Sequence, residues 1–154
     1  MILTDLLVPE AIRVVSSISS KKRLFHSLSE IAEQTYGLRQ DLVCEALMER
    51  ESLGPTAVGQ GVALPHARMN GLDKVRGAFI RLDRPLEFGA ADRQPVDLIF
   101  GLFAPENAGV DHLKALASVS RTLRDPDLCA TLRANDDVTT IHAVLSQPSA
   151  SHAA

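Results

Sequence analysis

The sequence predicts one layered domain of the α/β or α+β class, and three observations support that prediction. Apolar residues recur at helical spacing over residues 20–52, they alternate with small residues over 56–81, and helical spacing returns from residue 111 onwards. The chain has 154 residues, which is enough for one domain with a full hydrophobic core. Helices before and after a group of strands predict layers of helix packed on a sheet.

The first half of the chain contains two predicted helices. Ser19 or Ser20 can cap the first one, because a serine hydroxyl accepts from the free N–H groups of the first turn. Gly37 can end that helix in the left-handed conformation. The second helix is predicted over residues 39–52, and Gly54-Pro55 stops it.

Strands are predicted between and before the helices. The segment 96–104 is the most apolar of the chain, so we expect it to be a central strand that is buried on both faces. The other predicted strands are 11–15, 62–64 and 75–82.

The C-terminal part is predicted to be helical, with a short tail. Asp111 can cap a helix, a second helix spans residues 126–134, and a third begins near Asp137. The small and polar tail 148–154 is expected to be disordered. The inner face of the first of these helices is predicted to contain Leu113, Leu116, Ala117, Val119, Ser120 and Leu123.

Composition excludes several classes of function. The formal net charge is −3 with basic residues spread along the chain, which argues against nucleic acid as a partner. The sequence has no apolar run near the ~20 residues that cross a bilayer, so we expect a cytoplasmic protein without membrane insertion. Cys44 and Cys129 are interpreted as small reduced core residues. The sequence shows no metal-binding motif, and we expect neither a metal nor another cofactor.

His66 is the main candidate for a catalytic residue. It follows Pro65, which holds the preceding residue extended, and the glycines at 59 and 61 allow close approach of an anion. Residues two apart in an extended segment share a face, so His66 and Arg68 are expected on one surface, where they can bind phosphate. An edge-strand histidine that only hydrogen-bonds a neighbour is the alternative reading.

His112 is the second candidate because it lies in the first turn of a predicted helix. Free N–H groups and the helix dipole favour anions there. A zinc site made by His66 and His112 is disfavoured, since spacing suggests no further ligand. A serine–histidine–aspartate triad is also unsupported, because the chain has no Gly-x-Ser-x-Gly elbow.

Several short motifs along the chain carry a family resemblance. They are Arg50-Glu51-x-x-Gly54-x-Thr56, Gly59-x-Gly61-Val62-Ala63-Leu64-Pro65-His66, Pro95-Val96-Asp97-Leu98-Ile99-Phe100, Ala104-Pro105 and His112-Leu113-x-x-Leu116. The pattern resembles the mannitol/fructose-type IIA domains of the bacterial phosphotransferase system, over residues 1–147. The segments 3–7 and 20–23 are most similar to the nitrogen-regulatory branch, the IIA-Ntr proteins. Pro55 and Arg68 differ from the serine and lysine common in that branch, and neither change removes a group that phosphotransfer needs.

The resemblance implies a fold and an activity. The family fold is a mixed, roughly five-stranded sheet with helices on both sides. A protein of this kind is a phosphoryl carrier, in which the residue matching His66 accepts a phosphoryl group from an HPr-like phosphohistidine protein, here one of the NPr type. The position matching His112 lies next to it, and the one matching Arg50 helps to hold the phosphate. Potassium-transport proteins and sensor kinases are the regulatory targets that the resemblance suggests.

Imidazole chemistry agrees with this implication, since an ordinary pKa of about 6.5 leaves a neutral nucleophilic nitrogen near neutral pH. Phosphoryl transfer needs in-line approach and charge stabilisation more than acid–base work. Weaker candidates for that stabilisation are the hydroxyl of Thr56, backbone N–H groups near Gly59 and Gly61, and Arg68. Leu53, Met69 and Phe103 can form an apolar rim for a partner.

Three functions therefore stay open at the level of sequence. The first is a nitrogen-related regulatory carrier, whose phosphorylation state changes which proteins it binds. The second is a sugar-specific fructose or mannitol IIA component that passes phosphate to a IIB domain. The third is an interaction module that no longer uses His66.

Overall fold

The computed structural model describes residues 3–147, so the predicted tail lies outside the described residues. Two short 3-10 turns, Leu3–Asp5 and Pro9–Ala11, precede the regular elements. The strands are β1 (Ile12–Val15), β2 (Ala57–Gly59), β3 (Val62–Ala63), β4 (His66–Met69), β5 (Arg76–Leu86) and β6 (Val96–Pro105). The helices are α1 (Lys21–Tyr36), α2 (Gln40–Ser52), α3 (Val110–Thr122), α4 (Pro126–Ala134) and α5 (Val138–Ser146).

The sheet is mixed and has six strands in the order β1-β5-β6-β3-β2, with β4 also paired to β6. β6 lies at the centre, antiparallel to β5 and parallel to β3 and β4, and most of it is buried on both faces, as predicted. Val62 is in register with Leu98 and His66 with Leu102, so β3 and β4 continue one line along β6. They count as two strands because Pro65 interrupts them. If β3 and β4 are counted as one strand, the sheet has about five strands, as expected.

Helices cover both faces of the sheet, as expected. A Cβ atom placed on Gly101 in β6 would lie 3.1 Å from Leu28, so α1 packs directly on one face. On the opposite face, Arg81 in β5 is paired with Leu98 and donates to the carbonyl of Arg133 in α4 at 3.2 Å. None of the helices within residues 3–147 has the length and hydrophobicity needed to cross a bilayer.

Local signals set the ends of α1. The Ser20 hydroxyl accepts from the Arg23 N–H at 3.2 Å, and Gly37 closes the helix with φ 73° in the left-handed region. At α3 the prediction was wrong, because Gly109 is the N-cap and Asp111 lies inside the first turn. Gly109 has φ 58°, which a residue with a side chain rarely adopts.

The inner face of α3 differs in part from the prediction. Val119 and Leu123 are buried as predicted, whereas Leu113 is 65% exposed and Ala117 is exposed as well. The exposed leucine lines a cleft beside His66, where apolar side chains meet solvent. The buried residues of α3 are His112, Ala115, Ser118, Val119 and Thr122.

Candidate functional site

His66 begins β4, directly after a segment of backbone that is held on both sides. The Leu64 N–H donates to the Thr56 carbonyl at 3.0 Å, and the Pro65 carbonyl accepts from the Leu102 N–H at 2.9 Å. These bonds leave the Leu64 carbonyl directed at the imidazole, and His66 Nδ1 lies 2.9 Å from it.

This contact determines which imidazole nitrogen can react. A carbonyl oxygen only accepts hydrogen bonds, so Nδ1 of His66 must carry the hydrogen. The neutral ring then has its lone pair on Nε2. The imidazole is half-buried and borders an open cleft, so Nε2 is the nitrogen available to an incoming group.

His112 lies next to His66 in the first turn of α3. The two ring centroids are 5.4 Å apart and the planes meet at 70°. His112 is buried, and its Nε2 has no hydrogen-bond partner among the described residues. Burial, with smaller contributions from His66 and Arg68, lowers the pKa of His112 from 6.5 to about 4. His112 is therefore neutral at physiological pH, and its Nε2 lacks a polar partner among the described residues.

A cleft of about 480 Å³ opens over the two imidazoles, and we call it the His66 cleft. Arg50 from the last turn of α2 and Arg68 from β4 line it. The guanidinium of Arg50 donates to the Gly54 carbonyl at 3.1 Å, and that of Arg68 to the Glu106 carbonyl at 3.1 Å. Each guanidinium keeps further N–H donors, so the cleft can hold an anion. Arg68 thus shares a surface with His66, as predicted.

The mouth of the His66 cleft is apolar. Leu53 is 81% exposed and Leu113 is 65% exposed, and both line the cleft together with Leu116. Leu53 was predicted to form such a rim. The same prediction for Met69 and Phe103 was wrong, since both side chains are buried in the core.

Thr56 does not line the His66 cleft. Its hydroxyl donates to Glu51 Oε1 at 2.6 Å, and its N–H lies 3.1 Å from Oε2 of the same carboxylate. The Glu51 carboxylate also accepts from Lys21 Nζ at 2.8 Å. Glu51 and Lys21 were not among the site residues predicted from the sequence, although the motif Arg50-Glu51 was a signal for Glu51.

The two glycines proposed as anion binders lie elsewhere as well. Gly59 has φ 98° and approaches Asp92, while Gly61 has φ 81° and packs against Asp97 and Arg133. Neither glycine lines the His66 cleft. Their positive φ serves the tight β2–β3 turn, and we correct their assignment as phosphate donors accordingly.

Within residues 3–147 no group of three or more His, Cys, Asp and Glu side chains has the geometry to hold a metal ion. Cys44 and Cys129 are both free thiols. Cys129 is buried as predicted, and Cys44 is only half-buried.

Comparison with known proteins places this arrangement in a family. The family of the phosphoenolpyruvate-dependent sugar phosphotransferase system, EIIA 2, matches residues 5–147. The chain belongs to this family. Its fold is also that of the nitrogen regulatory protein IIA-Ntr from Neisseria meningitidis, with a TM-score of 0.86 and 36% identity over 93% of this chain and 98% of that one.

Relatives of this EIIA 2 domain carry two kinds of name. A nitrogen regulatory protein of Bradyrhizobium diazoefficiens is 49% identical over 99% of this chain and 100% of its own length. A fructose-specific EIIA component of Haloferax volcanii is 34% identical over 70% of each chain. The resemblance seen in the sequence is thereby confirmed at the level of the family, and the greater identity lies with the nitrogen-regulatory branch.

Proposed function

We propose that this EIIA 2 domain is a phosphoryl carrier of a nitrogen-related phosphotransferase system. His66 accepts a phosphoryl group from the phosphohistidine of an HPr-like protein of the NPr type. The phosphorylation state then determines which regulatory partners the domain binds. The observation that carries the proposal is the hydrogen bond between His66 Nδ1 and the Leu64 carbonyl, because it presents Nε2 as a nucleophile at an open cleft.

The transfer step balances without a proton acceptor. The Nε2 lone pair of His66 attacks phosphorus, an N–P bond forms, and the N–P bond of the donor's phosphohistidine breaks. The donor imidazole leaves as a neutral ring that retains its own N–H. His66 keeps its Nδ1 hydrogen throughout, so the Leu64 carbonyl stabilises the ring before and after the transfer.

Charge stabilisation comes from the side chains around His66. The unpartnered Nε2 of His112 can donate to a phosphoryl oxygen, which would give this buried group the partner it lacks. Because His112 is neutral, it can do so as a dipole that needs little rearrangement. Arg50 and Arg68 supply positive charge at the same cleft.

The apolar rim supports a protein as the phosphoryl donor. Leu53 and Leu113 are large exposed apolar side chains that line the His66 cleft, and such side chains favour contact with a protein surface. A carrier must also release its donor, so a small and transient interface is expected. Potassium-transport proteins and sensor kinases are the regulatory partners we would examine, in both phosphorylation states.

Incubation with phosphoenolpyruvate, enzyme I and an HPr-like protein tests the proposal. Mass spectrometry should show a gain of one phosphoryl group that is labile in acid. His66→Ala should abolish the gain. His26→Ala is the matched control, because His26 is an exposed histidine of α1. No gain in the native chain, or a gain that survives His66→Ala, would refute the carrier function and favour a non-catalytic interaction module.

A sugar-specific component is the second candidate, and the Haloferax fructose-specific relative is the observation that supports it. The two functions differ in where the phosphoryl group goes. The phosphorylated domain should pass it to a fructose- or mannitol-type IIB domain if the protein serves sugar transport. A regulatory carrier should keep it or return it to the HPr-like donor.

A further inference from the structure

We infer that Glu51 and Thr56 are positioning residues for His66, acting through the backbone that holds its imidazole. The inference rests on the proposed function, since it assigns a role in the same phosphotransfer. Neither residue touches the reacting atoms. Both control the position of the carbonyl that holds hydrogen on Nδ1.

Glu51 lies at the buried end of a series of hydrogen bonds that leads through Thr56 and Leu64 to His66. Its side chain is only 7% exposed, although it carries a carboxylate. The carboxylate accepts from the Thr56 hydroxyl at 2.6 Å, from the Thr56 N–H at 3.1 Å and from Lys21 Nζ at 2.8 Å. A buried charge is tolerated when its lone pairs are satisfied in this way.

Lys21 is held in turn by two contacts. Its ammonium lies 4.5 Å from the ring centroid of Phe88 and 2.8 Å from Glu51 Oε2. Phe88 is fully buried. Lys21 therefore fixes the Glu51 carboxylate from the start of α1, and Thr56 donates to the same carboxylate.

Thr56 links Glu51 to the backbone that holds the His66 imidazole. Its carbonyl accepts from the Leu64 N–H at 3.0 Å, and the Leu64 carbonyl accepts from His66 Nδ1 at 2.9 Å. The Pro65 carbonyl accepts from the Leu102 N–H at 2.9 Å, and the carbonyl that contacts the imidazole is that of Leu64. The position of Thr56 therefore sets the position of the atom that determines the His66 tautomer.

Arg50 depends on the same structure. Its guanidinium donates to the Gly54 carbonyl, and the Gly54 N–H donates to the Glu51 carbonyl at 3.1 Å. The turn 53–56 is thus held at one end by Arg50 and at the other by the Glu51 side chain. Loosening the Glu51–Thr56 contact would release the turn that anchors both Arg50 and, through Thr56, His66.

Thr56→Val is the most informative substitution, because valine keeps the shape and the backbone N–H but removes the hydroxyl. We expect the rate of phosphoryl transfer to His66 to fall about tenfold or more, the effect of losing one hydrogen bond to a charged group. The population of the Nδ1–H tautomer of His66 should fall as well. Thr56→Ser keeps the hydroxyl and should stay within about twofold of the native rate.

Two further variants separate positioning from folding. Thr122→Val is the matched control, since Thr122 is also a buried threonine whose hydroxyl is hydrogen-bonded, here to the Ser118 carbonyl at 3.0 Å. It should leave rate and tautomer unchanged. Glu51→Gln keeps an accepting oxygen but removes the charge, and we expect a change of tautomer in the same direction as for Thr56→Val.

Nitrogen-15 NMR of the histidine rings in the unphosphorylated protein measures the tautomer without any phosphotransfer. A native tautomer in Thr56→Val and Glu51→Gln would overturn the inference, even if both variants are slow. Failure of Thr56→Ser to restore the rate would overturn it as well. Failure of the proposed function is distinguishable, because then the native chain takes up no phosphoryl group while the NMR comparison still reports on positioning.

Discussion

His112 should make the stability of this domain depend on pH in the mildly acidic range. Burial lowers its pKa to about 4 in the folded chain, whereas an unfolded chain should have the ordinary value of 6.5. Above pH 6.5 both states are neutral at this residue, and the folded state is favoured fully. As the pH falls toward 4, the unfolded state binds a proton that the folded state does not, so stability is lost.

The difference between the two pKa values sets the magnitude. Each unit corresponds to about 1.4 kcal/mol, which limits the total loss to about 3 kcal/mol at pH 4 and gives about 2 kcal/mol between pH 7 and pH 5. His112→Gln removes the titrating group and keeps a polar side chain. The free energy of unfolding of the native chain should therefore fall relative to that of the variant over this range.

Urea denaturation of both proteins at a series of pH values measures this difference. Comparison with the variant cancels the carboxylates, which titrate in both proteins over the same range. An NMR titration of the His112 ring should independently give a midpoint near 4. A constant difference between the two unfolding free energies from pH 7 to pH 5 would refute the reasoning, because it would mean that His112 protonates in the folded chain as easily as in the unfolded one.

Four other substitutions have defined outcomes. His112→Ala should fold and slow phosphoryl transfer to His66 by about tenfold or more, because a donor to the phosphoryl group is lost; a native rate in the transfer assay would contradict that role. Gly61→Ala should destabilise the fold by about 2 kcal/mol or more in urea denaturation, since its Cβ would lie 2.6 Å from Arg133 Nη2 and 3.0 Å from Asp97 Oδ1 at φ 81°. Gly71→Ala has only the positive φ of 92° to accommodate and should cost about 1 kcal/mol, so equal losses would show that the contact does not matter. Arg133→Met should lower the free energy of unfolding by about 1 to 2 kcal/mol, because the guanidinium donates to Asp97 from both Nε and Nη2 at 2.9 Å, and a loss below 0.5 kcal/mol would contradict this.

Local patterns predicted the helices and the central strand well. α4 was predicted over the same residues that it occupies, and the Ser20 and Gly37 signals marked the ends of α1. These features depend on neighbours within one turn of helix, so a single sequence contains the needed information. The cap of α3 was missed because an acidic residue near a helix start resembles a cap, while the backbone at Gly109 takes that place.

The structure brings together the two histidines that the sequence singled out, whereas Glu51 and Lys21, which hold the surrounding backbone, were not predicted. His66 and His112 could be named from their backbone settings and from the family resemblance, since each lies beside a distinctive local motif. Gly59 and Gly61 were misassigned, because a glycine with positive φ serves a tight turn as readily as an anion site. Only the tertiary structure shows that Arg133, 72 residues beyond Gly61 in the numbering, fills the space beside it.

The position of Lys21 at the start of α1 is likewise explained only by the tertiary structure. Lysine at the first helical position opposes the helix dipole, so the local sequence offers no reason for Lys21. The reason is 30 residues away, where the nearly buried Glu51 carboxylate accepts from Lys21 Nζ at 2.8 Å. Glu51 in turn binds the residue whose carbonyl accepts from Leu64. Lys21 is unfavourable at the start of a helix, but it belongs to the structure that supports the carbonyl bound to His66 Nδ1.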